Sequence, residues 1–164
     1  MDDPSLLRFR EVEAILDGAA CAVRDLADAD AAGVLLGNLD WLRTRGWRIW
    51  AATVMPSHLH VVLRNTDGRN DALDADLGQF KNYTARLVNA RKDREGTFWQ
   101  RENFDHWCRD MRQWLGFVRY TLRNPVAARL AGNWREWPWT VVDPEAALLV
   151  DGSEDAGLIT PGLQ

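Results

Sequence analysis

His58 and His60 stand one residue apart in the stretch Met55-Pro56-Ser57-His58-Leu59-His60-Val61-Val62-Leu63. In an extended strand, residues two apart share a face, so the two imidazoles converge while Leu59, Val61 and Leu63 can bury the other side. Neutral imidazoles held at a fixed separation suit many divalent ions. Tyr120 and Asn124 form a second pair, four apart, which places them together on one side of a helix. A tyrosine can attack a phosphodiester and hold the broken strand as a phosphotyrosine, and an amide oxygen can complete a metal site. Each pair has a plainer reading. Histidines occur on polar strand faces, and an Asn near Pro125 can cap a helix that ends there. Only a fold that joins the two pairs favours chemistry over packing.

The elements that must do the joining are read from periodicity. Leu6 to Asp17 and Asp28 to Thr44 have helical spacing, the second with Leu35, Leu36, Leu39 and Leu42 on one side and Gly46 as its stop. Trp47 to Val54 and Leu59 to Leu63 are rich in aromatic and β-branched residues around the break at Met55-Pro56-Ser57, a β-hairpin pattern. Arg64 to Asp76 is polar and reads as a loop, Leu77 to Asn89 as a helix, and Thr97 to Gln100 as a short extended segment. Asp110 to Asn124 is a helix with Met111, Leu115, Val118 and Leu122 as its buried stripe, stopped by Pro125. Val126 to Thr140, with Trp134, Trp137 and Trp139, reads as an irregular stretch packed back over the domain. Residues 1–142 are therefore expected to form one domain and 143–164 a flexible tail.

Charge is divided unevenly. The net charge of −4 argues against a nucleic-acid ligand, because phosphate binding leaves a basic footprint. Yet Leu77 to Arg135 carries twelve Lys or Arg against five acids, the division expected of one anion-binding face on an acidic remainder. The nine tryptophans serve packing first, although large aromatics also stack on unpaired bases. No apolar run is long enough to cross a membrane, and the N-terminus lacks a signal-peptide pattern. Cys21 and Cys108 fit no zinc-finger or redox spacing. A soluble, cytoplasmic protein is expected.

Five segments in order resemble one family: Val54 to Leu63; Phe80-Lys81 with Thr84-Ala85; Phe98-Trp99-Gln100-Arg101 with Phe104-Asp105; Arg119-Tyr120-Thr121-Leu122-Arg123-Asn124-Pro125-Val126; and Trp137-Pro138-Trp139. Together, from about Val12 to Thr140, they resemble the IS200-like transposases, single-tyrosine enzymes with a His-x-His pair, and within them the REP-associated tyrosine transposases. The resemblance implies an α+β, ferredoxin-like antiparallel sheet with helices packed on one face. It implies Mg²⁺ or Mn²⁺ held by His58, His60 and Asn124, with Tyr120 as the nucleophile that becomes linked to the 5′-phosphate. It further implies single-stranded, hairpin-containing DNA as substrate, action at the bacterial nucleoid and a possible homodimer. Lys81 and Arg101 match basic positions around the family's DNA groove, and Arg119 and Arg123 flank the tyrosine as further DNA-binding residues.

Three departures qualify that expectation. Ser57 stands where the family has an asparagine, and both can bond locally to a turn. Arg129 stands where the family has a glycine. The family's first strand has no evident match before Val12: either another N-terminal segment substitutes for it, the start lies further upstream, or the chain is a truncated remnant whose sheet lacks its centre. The alternative to a nuclease is then a DNA-hairpin-binding remnant with weak or no cleavage. A water-using metal hydrolase is a third reading, which requires activity to survive loss of Tyr120. His106 reads as a surface histidine.

Overall fold

The strand that the sequence seemed to lack is present. In the computed structural model, which describes residues 9–15 and 26–154, Phe9–Ile15 forms strand β1. It pairs antiparallel with strand β3 (His58–Asn65) on one side and strand β4 (Phe104–Cys108) on the other. The helical spacing of this segment was misleading for a physical reason. Seven residues satisfy either period, and hydrogen bonding to two distant strands decides between them. Val12 and Ala14 are buried, as alternation requires.

The remaining elements follow in order: helices α1 (Ala29–Gly37) and α2 (Leu39–Thr44), strand β2 (Trp47–Val54), β3, helix α3 (Leu73–Arg91), β4, helix α4 (Met111–Ala127), strand β5 (Thr140–Val142) and helix α5 (Pro144–Glu154). The sheet order is β4-β1-β3-β2-β5 with every pairing antiparallel. Its first four strands reproduce the ferredoxin-like order, and β5 extends the far edge. The β2–β3 hairpin is the one expected from the sequence, closed at its turn by the bond from Met55 N to His58 O at 2.8 Å.

Alternation along the strands sorts the core onto two faces. Ile49, Ala52, Val54, Leu59, Val61 and Leu63 pack with α1, α2 and α3 in the larger cluster. Trp50, Ala51 and Val62 pack with Trp114, Val118 and Leu122 of α4 and Ala146 and Val150 of α5. One face thus carries the expected helical layer, and α4 with α5 adds a partial layer on the other. Trp114 and Trp50 meet edge-to-face at 4.9 Å between centroids. Trp114 is therefore the anchor of α4, whereas Met111, expected in the stripe, is exposed.

Several boundaries differ from the sequence reading. The long helix expected over Asp28 to Thr44 is broken at Asn38, whose side chain bonds to Val34 O at 2.7 Å. Helix α3 begins four residues earlier than Leu77, and its Asp76 is buried, accepting from Trp47 Nε1 at 2.8 Å and Arg45 Nε at 3.1 Å. Pro125 does not stop α4, which runs to Ala127 with the proline buried; a proline there forfeits one backbone bond. The segment expected to be a tail from Asp143 instead forms α5, tied down where Arg48 donates to Asp143 at 3.0 Å through both Nε and Nη2. Residues 155–164 of that tail, and Cys21, lie outside the described residues.

The tryptophan-rich stretch packs as expected. Trp137 Nε1 donates to Val54 O and Val54 N donates to Trp139 O, each at 2.9 Å. Those bonds fasten the stretch to the end of β2, directly before the turn that leads to the histidines.

Candidate catalytic and metal site

His58 and His60 fall on the α4 side of β3 because Leu59, Val61 and Leu63 take the other side into the larger core. The imidazole centroids lie 4.6 Å apart with rings at 89°. His60 is 2% exposed, and burial, reinforced by nearby His58, lowers its pKa to about 3. It is therefore neutral at physiological pH, the form that ligates metals. Ser57 Oγ lies 2.9 Å from His58 Nδ1, so the turn serine orients that ring. Such an outer bond fixes which nitrogen faces a ligand and holds the ring plane.

Helix α4 brings the second pair. Its N-terminus is capped by Asp110, which accepts from Gln113 N at 2.8 Å. Trp114, Val118, Thr121 and Leu122 turn into the sheet. Tyr120 is thereby placed at the margin, 46% exposed, with its ring edge-to-face on His60 at 5.5 Å. One turn later Asn124 Nδ2 donates to Tyr120 O at 3.2 Å, which leaves its side-chain oxygen as the atom available to a cation. The structure thus unites the two pairs that the sequence offered separately.

Two imidazoles and an amide oxygen are donor types compatible with a divalent ion. Among the described residues no group of three or more His, Cys, Asp or Glu is placed to hold a metal. Two imidazoles and one amide oxygen would leave coordination positions for water and a phosphate oxygen, as an ion that acts on a substrate requires. In the backbone register, position 13 of β1 stands opposite His60.

The four basic residues expected at DNA divide. Arg123 and Arg101 are exposed, and Arg119 is half-buried beside Tyr120. Lys81 instead points inward. It is 8% exposed, and its ammonium donates to Gln100 O, to Arg101 O at 3.3 Å and to Asn103 Oδ1 at 3.0 Å. Burial lowers its pKa, with Glu102 opposing that shift. Lys81 therefore fixes the 100–103 loop ahead of β4 rather than presenting a surface charge.

Arg129 has φ +60°, the left-handed region that glycine adopts most readily. Its N–H bonds to Val126 O at 2.9 Å and that of Leu130 to Pro125 O at 2.8 Å, the paired bonds of a helix terminated by one left-handed residue. His106 is exposed and lies over Phe117 of α4, centroids 6.3 Å apart and rings at 13°. No described helix is long and apolar enough to cross a membrane.

No protein-family model matches the sequence, and no curated protein matches it. Among solved structures, the chain is similar to a REP-associated tyrosine transposase bound to a REP hairpin. The similarity has a TM-score of 0.61 at 16% identity, over 96% of this chain and 87% of that one. At that identity the similarity establishes the fold.

Proposed function

We propose that this chain is a metal-dependent tyrosine endonuclease and strand transferase acting on single-stranded, hairpin-containing DNA. The observation that carries the reading is the contact of Tyr120 with His60, which joins a nucleophile to a two-imidazole metal platform across two elements distant in sequence. The hairpin bound by the similar transposase and the basic character of Leu77 to Arg135 support the substrate class.

The chemistry follows from the side chains. The Tyr120 oxygen attacks the phosphorus of a phosphodiester, the P–O3′ bond breaks, and the 5′-phosphate remains on the tyrosine while the 3′ oxygen leaves and takes up a proton. Retaining the phosphoester lets a second 3′-hydroxyl reverse the step on another end, without an external energy source. His58, His60 and Asn124 would hold a Mg²⁺ or Mn²⁺ ion, which supplies charge stabilisation at the phosphate. Arg119, Arg123 and Arg101 neutralise the flanking backbone. The exposure of Tyr120 suits attack on an external strand, and the burial of His60 fixes the platform beneath it.

The test uses labelled single-stranded hairpin DNA with Mn²⁺ and a denaturing gel. A covalent protein–DNA adduct is expected, and it should vanish in Tyr120→Phe while hairpin binding persists. Binding without adduct by the parent protein would establish the hairpin-binding remnant instead.

A further inference from the structure

Strand β4 is the outer strand of the sheet, and its side chains emerge from under α4 one after another. Cys108 is buried in the core below α4, His106 lies over Phe117, and Phe104, on the same side by alternation, is 55% exposed. A bare phenylalanine on a strand is unusual, because its ring gains most when covered. Its level in the sheet is defined by register: Phe104 pairs with Glu13, and Glu13 pairs with His60. Phe104 and His60 therefore share one row and one face. Two strand spacings separate them, roughly 10 Å, about three steps of a stacked strand at ~3.4 Å each.

We infer that Phe104 is a stacking shelf for an unpaired base of the single strand that runs across the site. The inference rests on the proposed function and adds a base-binding subsite to it. Three observations select a nucleic-acid base as the occupant. The ring lies level with the metal platform rather than on a remote surface. Two exposed arginines bracket it, Arg101 three residues earlier and Arg109 just beyond the strand, with Glu102 and Asp105 between them, so a phosphate chain passing the ring meets a guanidinium at either end. The loop before it is clamped by Lys81 through Gln100, Arg101 and Asn103, which holds the shelf at a fixed height. Aromatic stacking is tolerant of base identity, so the subsite would position the strand rather than read its sequence.

The experiment places 2-aminopurine at successive unpaired positions flanking a DNA hairpin and measures its fluorescence with the parent protein, Phe104→Ala and Phe104→Tyr. Quenching at one position with the parent, lost in Phe104→Ala and restored in Phe104→Tyr, is the expected result. Affinity for the flanked hairpin should fall about tenfold in Phe104→Ala, with affinity for the stem alone unchanged. Parent-like binding and quenching in Phe104→Ala would overturn the shelf while leaving the nuclease reading intact. Failure of the parent protein to bind any hairpin would overturn both. Conversion of a dimer to a monomer by Phe104→Ala, seen by light scattering without loss of quenching, would assign the ring to a second copy of the chain and also overturn the shelf.

Discussion

The ring of Tyr120 rests edge-on against the ring of His60, centroids 5.5 Å apart at 83°. The nucleophile candidate thus touches the inner of the two histidines proposed to hold a metal. His60 is almost wholly covered, whereas His58 sits at the margin. The two histidines should therefore respond differently to removal.

His58→Ala is expected to leave the metal-free protein within about 0.5 kcal/mol of the parent, as surface substitutions do. His60→Ala should cost roughly 1–3 kcal/mol, because it leaves a void under Tyr120. Both should abolish stabilisation by Mn²⁺, which at a hundredfold excess over its dissociation constant would amount to about 2.7 kcal/mol in the parent. Thermal melting with Mn²⁺ and with EDTA separates these effects. Retained Mn²⁺ stabilisation in both variants would remove the histidines from the metal site.

Lys81→Met keeps the stem and deletes the three-way clamp on residues 100–103. Loss of charged, part-buried hydrogen bonds is expected to cost about 1.5–3 kcal/mol in urea unfolding, with increased amide exchange in the loop and β4. The salt dependence of DNA binding should keep its slope, since an inward ammonium releases no counterion. A slope reduced by about one contact would show instead that Lys81 reaches phosphate.

Arg129→Gly relieves a left-handed backbone at the end of α4. A gain of roughly 0.5–1 kcal/mol is expected, which raises the melting temperature by about 2–3 °C for a chain of this size. A fall in melting temperature would show that the Arg129 side chain contributes more in packing than its backbone costs.

The bonds from Arg48 to Asp143 give α5 a dependence on pH. Burial pushes the Asp143 carboxyl up, but Arg48 and the backbone N–H groups of Glu145 and Ala146 outweigh that and hold it below the ordinary carboxylate range. The contribution is therefore fully present above the unfolded carboxylate value of about 4 and is lost below it, as pH falls through the lower folded value, because the unfolded chain takes up the proton first. Asp143→Asn should flatten the acid limb of a stability–pH curve and change little else, given the partial exposure of Arg48. An unchanged acid limb would place the acid sensitivity elsewhere.

What the sequence made legible was local. The His-x-His strand, its turn and the four-residue spacing of Tyr120 and Asn124 depend on alternation and helical period within a dozen residues, and the structure keeps them all. What it hid depends on distant partners. Phe9–Ile15 becomes a strand because β3 and β4 bracket it, and Phe104–Cys108 has no strand signature apart from that pairing. The α5 segment forms where Arg48 can reach it and where α4 offers a surface for Ala146 and Val150. Lys81 resembled a DNA contact because its type and motif were visible, while the oxygens that turn it inward come from residues about twenty positions later.

Strand β1 indexes two neighbours at once, Arg10 to Ile15 against β3 and Phe9 to Glu13 against β4, and so works as a gauge. Its position along β3 and along β4 sets the height of Phe104 against His60. A slip of one residue on either side would carry every side chain of the slipped strand to the opposite face. Spacing across the site is thus calibrated by a segment that contributes no residue to the His58, His60, Tyr120 and Asn124 set, and length changes within β1 would detune it while leaving those four in place.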